Sequence, residues 1–440
     1  MPKKNKAAYA NTLPNRDAYI AEYSDYIAAS PTSFHAAAVA AAQLEKAGFT
    51  RLNEHEIWPV QQDTAAYVLR DGAVIAWRAG KNVTATSAFK IIGAHTDSPG
   101  FKIKPVPGST SYGWSQLNVE IYGGPIIASW FDRDLAVAGQ VFTRDGQVRL
   151  IHTGAIARIP ELAIHLDRTV FAGNREINLQ WHTKPILGNE EIDALEVIAE
   201  AAGVDPEDVL GWDLQLADTQ APARIGVNGD MLAAGRQDNL SATHPALAAL
   251  IASEPAPDEI AMLATYDHEE VGSATHTGAA GSLLPDVLER IAEGLGATRS
   301  ESALARAKSW ILSIDAGHAV HPNYPEKHDP DVQPHFGEGP MLKINSNQNY
   351  ATSAAGSALW RVLTEQSGAK SQVFVSNNAV TCGSTIGPIS AVKVGIRTLD
   401  AGVPLLSMHS AREVSHVDDL YSMAQLAAAF FAGAGTETGE

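Results

Sequence analysis

The sequence predicts an α/β protein: a mostly parallel, helix-covered sheet interrupted by an inserted β-rich segment. Three observations carry this. Short apolar runs alternate with helical stretches in residues 1–98 and again in 229–440. Between them, residues 99–228 read as short strands of alternating character. At 440 residues the chain also exceeds the usual size of one domain, so a larger discontinuous unit carrying an insertion is the expected arrangement.

The elements follow in order. "RDAYIAEYSDYIAA" has apolar residues at helical spacing, and "SFHAAAVAAAQLEKAGF" runs as a helix from a Ser33 cap to a Gly48 stop. "AAYVLRDGAVIAWRAG" is a hairpin turning at Asp71-Gly72. "AFKIIGA" is a strand that delivers His95, Thr96 and Asp97. Within the insertion, "DLAVAGQVFTRDGQVRLIHT" repeats the strand, Asp-Gly, strand pattern, and "IDALEVIAEAAG" is its one helical piece. Thereafter strands are expected at "EIAMLAT", "SWILSI", "SQVFVS" and "VPLLSM", with helices at "LLPDVLERIAEGLG" and "DDLYSMAQLAAAFF". "GAGTETGE" reads as a flexible tail.

Composition narrows the function. The net charge of −18 opposes binding to nucleic acid or an anionic membrane, since both require a basic face. Apolar runs such as "PALAALIA" and "LAAAFFAGA" fall short of the ~20 residues that span a bilayer. The single cysteine, Cys382, cannot form an internal disulfide, and "MPKKNK" is followed by no apolar stretch, so a cytoplasmic location is expected.

The chemistry lies where strands end. Four apolar runs finish in a potential metal ligand: His95, the Glu269-Glu270 pair, Asp315 and His409. A fifth candidate, Asp238, stands where a helix begins. In open α/β sheets catalytic groups gather at the carboxyl ends of strands, so these distant positions can converge. Any one of them alone is more often a turn or cap residue. Together they exceed the three protein ligands of a single catalytic zinc and suit two metals bridged by Asp238. His95 and Asp315 complete one site, and Glu270 and His409 the other. Nitrogen and oxygen donors without thiolate fit Zn²⁺, with Co²⁺ or Mn²⁺ as substitutes. Glu269 is then free to act as general base, and Asp97 can orient His95.

The motifs "AHTDSPGFKIKP", "GRQDNLS", "DHEEVGS", "DAGHAVHPNY", "GPMLKIN", "CGSTIGP" and "MHSAREV" run in order from about residue 30 to 420. Through them the chain resembles the aspartyl aminopeptidase family of binuclear zinc metallopeptidases. The resemblance implies a zinc exopeptidase-like fold, the same five ligands and the same base. It also implies that the insertion is an oligomerisation domain, and that the protein is a homododecamer acting on peptides. A loop histidine from a neighbouring subunit would then enter the site, here His165 in "IPELAIHLDR". It further implies a pocket for an acidic first residue built on Lys343 and Tyr350, with His321 and Met408 as additional substrate-binding candidates. Asn347, Asn349 and Ala379 depart from the acid-selective pattern. The competing expectations are a neutral or basic specificity, a deacylase or carboxypeptidase, and an inactive shell-forming or cargo-binding homologue.

Overall fold

The computed structural model describes residues 13–59, 61–169 and 176–435; "MPKKNK" and most of the expected tail, residues 436–440, lie outside them. The chain begins with helices α1 (Arg16–Ala28) and α2 (Ser33–Lys46). Thr32, and not Ser33, caps α2: its hydroxyl accepts the His35 N–H at 3.4 Å, while Ser33 Oγ donates to Asp267 at 3.1 Å. Strands β1 (Thr50–Arg51), β2 (Ala65–Arg70), β3 (Ala73–Ala79) and β4 (Ala88–His95) follow, with the β2–β3 hairpin turning at Asp71-Gly72 as expected.

Residues 100–218 then build a separate antiparallel sheet from β5 (Gly100–Ser111), β6 (Trp114–Tyr122), β7 (Leu135–Thr143), β8 (Val148–His152), β9 (Ile186–Gly188) and β10 (Val209–Asp218), in the order β8-β7-β10-β5-β6-β9. Helix α3 (Ala194–Ala202) packs on it and stops at Gly203, whose φ of +66° only glycine adopts without strain. Two further short strands, β11 (Ala223–Ile225) and β12 (Met231–Ala234), pair with each other in a small three-stranded sheet that residues 413–416 complete by pairing with β12.

The remaining elements are α4 (Gln237–Ala252), β13 (Glu259–Tyr266), α5 (Leu283–Gly294), α6 (Arg299–Lys308), β14 (Trp310–Ile314), β15 (Gly317–His318), β16 (Met341–Ile344), α7 (Ala354–Ser367), β17 (Gln372–Val375), α8 (Ile386–Val394), β18 (Arg397–Gly402), β19 (Pro404–Leu405), β20 (Glu413–His416) and α9 (Val417–Phe431). The large sheet runs β1-β2-β3-β13-β4-β14-β18-β16-β17, and its centre, β13-β4-β14-β18, is entirely parallel. Along β13 the side chains alternate between the two faces. Ala261 and Leu263 meet the layer of α1, α2, α4, α7 and α9, whereas Ile260, Met262 and Ala264 meet α5, α6 and α8. Burial of each large aliphatic or aromatic side chain in these layers contributes roughly 1.5–3 kcal/mol.

One expectation is corrected. "VPLLSM" is not a strand of the large sheet: β19 pairs only with β15, and the neighbouring "RTLDAG" supplies the sheet strand β18. An apolar run is the stronger pattern, but Asp400 tolerates burial in β18 by accepting the Ala351 N–H at 2.6 Å. Among the described residues no helix is long and apolar enough to cross a membrane.

The α1–α4 contact carries a pH dependence. His244 is enclosed by Tyr19, Tyr23 and Tyr26, with ring centroids 5.2–5.4 Å away, and burial pushes its pKa down to about 3. An unfolded histidine titrates near 6.5, so between there and about pH 3 the unfolded chain binds the extra proton. Stability from this group is therefore full above pH 6.5 and declines by a few kcal/mol as the pH falls. His244→Phe should flatten the acid limb of the melting temperature against pH. An acid limb as steep as that of the parent protein would contradict this.

Candidate metal centre and active site

The three adjacent parallel strands β13, β4 and β14 all point their carboxyl ends at one place. His95 is the last residue of β4, Asp315 follows β14 directly, and Glu269 and Glu270 lie in the short turn after β13. Asp238 enters from the start of α4. His409 arrives on the loop between β19 and β20, at a φ of +67°. That strained conformation is secured by Glu413, whose two carboxylate oxygens accept the His409 N–H at 2.8 Å and the Asp238 N–H at 3.0 Å. Burial pushes the Glu413 carboxyl up to about 8.

The histidine tautomers follow from their partners. His95 Nδ1 lies 3.1 Å from the carbonyl oxygen of Asp97, and His409 Nδ1 lies 3.1 Å from that of Gly124. A carbonyl only accepts, so each Nδ1 carries a proton, and in the neutral ring each Nε2 presents a lone pair. These lone pairs face carboxylates. His95 Nε2 is 3.3 Å from Asp238 Oδ1 and 3.4 Å from Asp315 Oδ1, while His409 Nε2 is 3.4 Å from both Asp238 Oδ2 and Glu270 Oε2. Acceptors aimed at acceptors call for a positive charge between them, which a proton on Nε2 or a bound metal supplies. The separations match the edge of a tetrahedron with metal–ligand bonds of 2.0–2.1 Å, about 3.3–3.4 Å. Asp238 Oδ1 and Glu270 Oε1 are buried with no hydrogen-bond partner among the described residues. Donor atoms of His95, Asp238 and Glu270 lie within 4.8 Å of one another. The donor set therefore fits zinc.

Charge balance says the same. Asp97, Asp238, Glu269, Glu270 and Asp315 are buried or half-buried beside two imidazoles. For His95, burial opposes protonation, but Asp238, Asp315 and Asp97 outweigh it and pull its pKa well up. For Asp238, burial raises the carboxyl, and His409 and His95 overcome that to hold it below the ordinary range. Burial, with Asp238 next, pushes Glu270 well up. Glu269 has no direct partner as close as these: its Oε2 is 4.0 Å from His95 Nε2, and burial raises it to about 7. Such a carboxyl both takes up and releases protons near neutrality. Asp97 ties the strand ends together, accepting the Glu269 N–H at 3.0 Å, the Glu270 N–H at 3.1 Å and the Tyr122 hydroxyl at 2.7 Å.

The centre opens into a cavity of about 340 Å³ lined by Asp238, Glu269, Glu270 and Asp315 and by Lys343, Tyr350 and Met408. Lys343 is buried; its ammonium donates to the Ala316 carbonyl at 2.7 Å and lies 3.4 Å from Asp315 Oδ2, over the Tyr350 ring. A second cavity of about 270 Å³ adjoins the first and shares His318, Tyr350, Phe374 and Met408 with it. His321 lines only this second cavity, where its Nδ1 accepts the Asn323 N–H at 3.2 Å. His165 lies on an exposed loop and lines neither cavity. Sequence reasoning missed Glu413, Tyr122 and Gly124, and left His318 unassigned; only Glu413 and His318 carried a signal, standing inside quoted motifs.

Comparison with known proteins identifies the family. The family model described as aminopeptidase I zinc metalloprotease (M18) matches residues 26–431. A probable M18 family aminopeptidase 2 of Streptomyces avermitilis is 44% identical over 416 residues, covering 93% of this chain and 96% of that protein. Its counterpart in Pseudomonas fluorescens is 43% identical over 422 residues, covering 93% and 96%. Among solved structures, a chain of the Ape4 and Nbr1 complex superposes with a TM-score of 0.90 at 33% identity, covering 96% of this chain and 86% of that one. The S. cerevisiae mApe1 dodecamer gives 0.82 at 29%, covering 94% and 96%. With donors suited to zinc at the strand ends and this similarity along nearly its whole length, the chain belongs to the M18 family and is a zinc-dependent aminopeptidase.

Proposed function

We propose that the protein removes single amino-terminal residues, Asp and Glu foremost, from peptides at a centre of two zinc ions bridged by Asp238. The observation that carries the two-ion reading is that each oxygen of Asp238 faces a different histidine. His95 and Asp315 would complete one site, and His409 and Glu270 the other. Bound zinc supplies Lewis acidity toward the scissile carbonyl and acidifies water. Glu269 takes a proton from the attacking water and returns it to the departing amide nitrogen, so that the peptide bond is replaced by a free carboxylate and a free amine. The acid cluster counters the charge of the substrate's free α-ammonium, and Asp97 holds His95 in its orientation.

Specificity is assigned to Lys343. Two of its three N–H groups are directed at Ala316 and Asp315, which leaves one for a substrate carboxylate in the cavity, with Tyr350 beneath. The protein's negative charge opposes an acidic substrate at long range, but exposed charges are screened beyond roughly 8 Å at physiological salt. A panel of aminoacyl-coumarins tests this, with Glu and Asp expected to lead. Lys343→Met should lower kcat/KM on those two more than on Leu, by a factor equivalent to about 2–5 kcal/mol. The Leu substrate controls for any loss through Asp315. A parent enzyme that favours Lys or Leu substrates would remove the acidic preference and leave the aminopeptidase intact.

Residues 99–228 are read as the oligomerisation domain of a homododecamer, in which His165 reaches the cavity of a neighbouring copy. The solved mApe1 relative is dodecameric, and the His165 loop exposes Leu162, Ile164 and Leu166, more apolar surface than a solvent loop requires. His165→Phe should keep its zinc but lose catalytic efficiency. Full activity of dilute, dissociated chains would defeat this.

A further inference from the structure

The two histidines of the metal centre are both held by one segment that supplies no ligand. Strand β6 of the antiparallel sheet ends at Tyr122, whose hydroxyl donates to Asp97 Oδ2 at 2.7 Å, and Asp97 in turn meets His95 Nδ1 through both its carbonyl, at 3.1 Å, and its carboxylate, at 3.4 Å. Two residues later the Gly124 carbonyl accepts from His409 Nδ1 at 3.1 Å. The grip on His409 continues, because Ile126 N–H donates to the His409 carbonyl at 2.8 Å and Ser129 Oγ accepts the Ala411 N–H at 2.9 Å. Between these contacts, Gly123 has a φ of +65°, and a Cβ there would stand 3.2 Å from Glu270 Cβ. A side chain at Gly123 would therefore press on Glu270, whereas a Cβ at Gly124 would stand at an ordinary contact distance of 3.8 Å from His409 Nδ1.

Tyr122 is itself fixed from the antiparallel sheet. It is 8% exposed, and the Lys102 ammonium sits 4.6 Å over its ring while pairing with Asp213 of β10 at 2.8 Å. Three strands of that sheet, β5, β6 and β10, therefore set the position of one hydroxyl.

We infer that Tyr122 and the Gly124 carbonyl are positioning groups for the metal centre, so that zinc affinity depends on how the antiparallel sheet docks against the parallel one. Partners of metal-bound histidines fix ring orientation and raise basicity, and their loss typically weakens binding about 10–100-fold. Removing the Tyr122 hydroxyl leaves Asp97 Oδ2 with the Glu270 N–H alone and frees the carboxylate to turn away from His95.

The inference rests on the two-zinc reading, and the zinc content of the parent protein tests that reading by itself: fewer than two ions per chain ends it. For the inference, zinc affinity is measured by chelator competition, alongside the visible absorption of the cobalt-loaded protein. Tyr122→Phe should bind zinc about tenfold more weakly, shift the cobalt bands and lower kcat with KM for a peptide little changed. Ser129→Ala, which slackens the loop bearing His409, should weaken one of the two ions several-fold. Lys102→Met keeps the hydroxyl but loosens the ring that carries it, and should weaken zinc binding less than Tyr122→Phe does. Native zinc affinity and a native cobalt spectrum in Tyr122→Phe would overturn the inference; should that variant fail to fold, native values in Ser129→Ala would do so.

Discussion

Glu269→Gln should lose about 10²–10⁴-fold in kcat while keeping its zinc, its fold and a KM within a few-fold of the parent. The side chain keeps its length and loses only the capacity to carry a proton. In barrier terms this is roughly 3–5 kcal/mol. The direction of the stability change separates this role from a structural one. Burial among Asp315, Asp238 and Asp97 holds the Glu269 carboxyl up at about 7, so the folded state bears a cost for ionising it. A neutral amide removes that cost, and the melting temperature should stay level or rise as activity falls. A variant that turns over at the parent rate would assign the base elsewhere, and one that loses activity together with zinc would make Glu269 a ligand.

Asp238→Ala should be the more damaging substitution. Its two oxygens lie 3.3 and 3.4 Å from the two histidines, so truncation strips a donor from both halves of the centre at once. On the two-zinc reading proposed above, zinc content should fall from two to less than one per chain, and activity should drop beyond the loss expected for Glu269→Gln, itself about 10²–10⁴-fold. The stabilisation that bound metal lends the folded state should vanish too, so added zinc should no longer raise the melting temperature. Retention of two ions would show that Asp238 does not bridge.

Much of this centre was legible because apolar parallel strands announce themselves. "AFKIIGA", "EIAMLAT" and "SWILSI" form adjacent strands of the large sheet, and each leads into a donor. The strands β16 and β18 were not read, since "MLKI" is short and "RTLDAG" carries Arg397 and Asp400 into a buried ladder. Helix α6 was missed for a related reason: "RSESALARAK" buries only Ala305 and has no apolar stripe to see. Its Thr298–Glu301 capping box was the available signal. The supports of the centre lie deeper. Glu413 holds Asp238 across 175 positions and Tyr122 reaches Asp97 across 25, and no local pattern encodes a contact at such range.

The wide dispersal of the donors bears on when the enzyme becomes dangerous. They lie at residues 95, 238, 270, 315 and 409, and the clamp that secures two of them is at 413. A chain emerging from the ribosome holds His95 long before His409 exists, and closing so long a loop must precede any zinc centre. If these five residues are the ligands, nascent, truncated or partly folded copies should be inert toward the peptide termini around them. Hydrolytic competence then arrives only with completed folding, which guards the cell against premature cleavage.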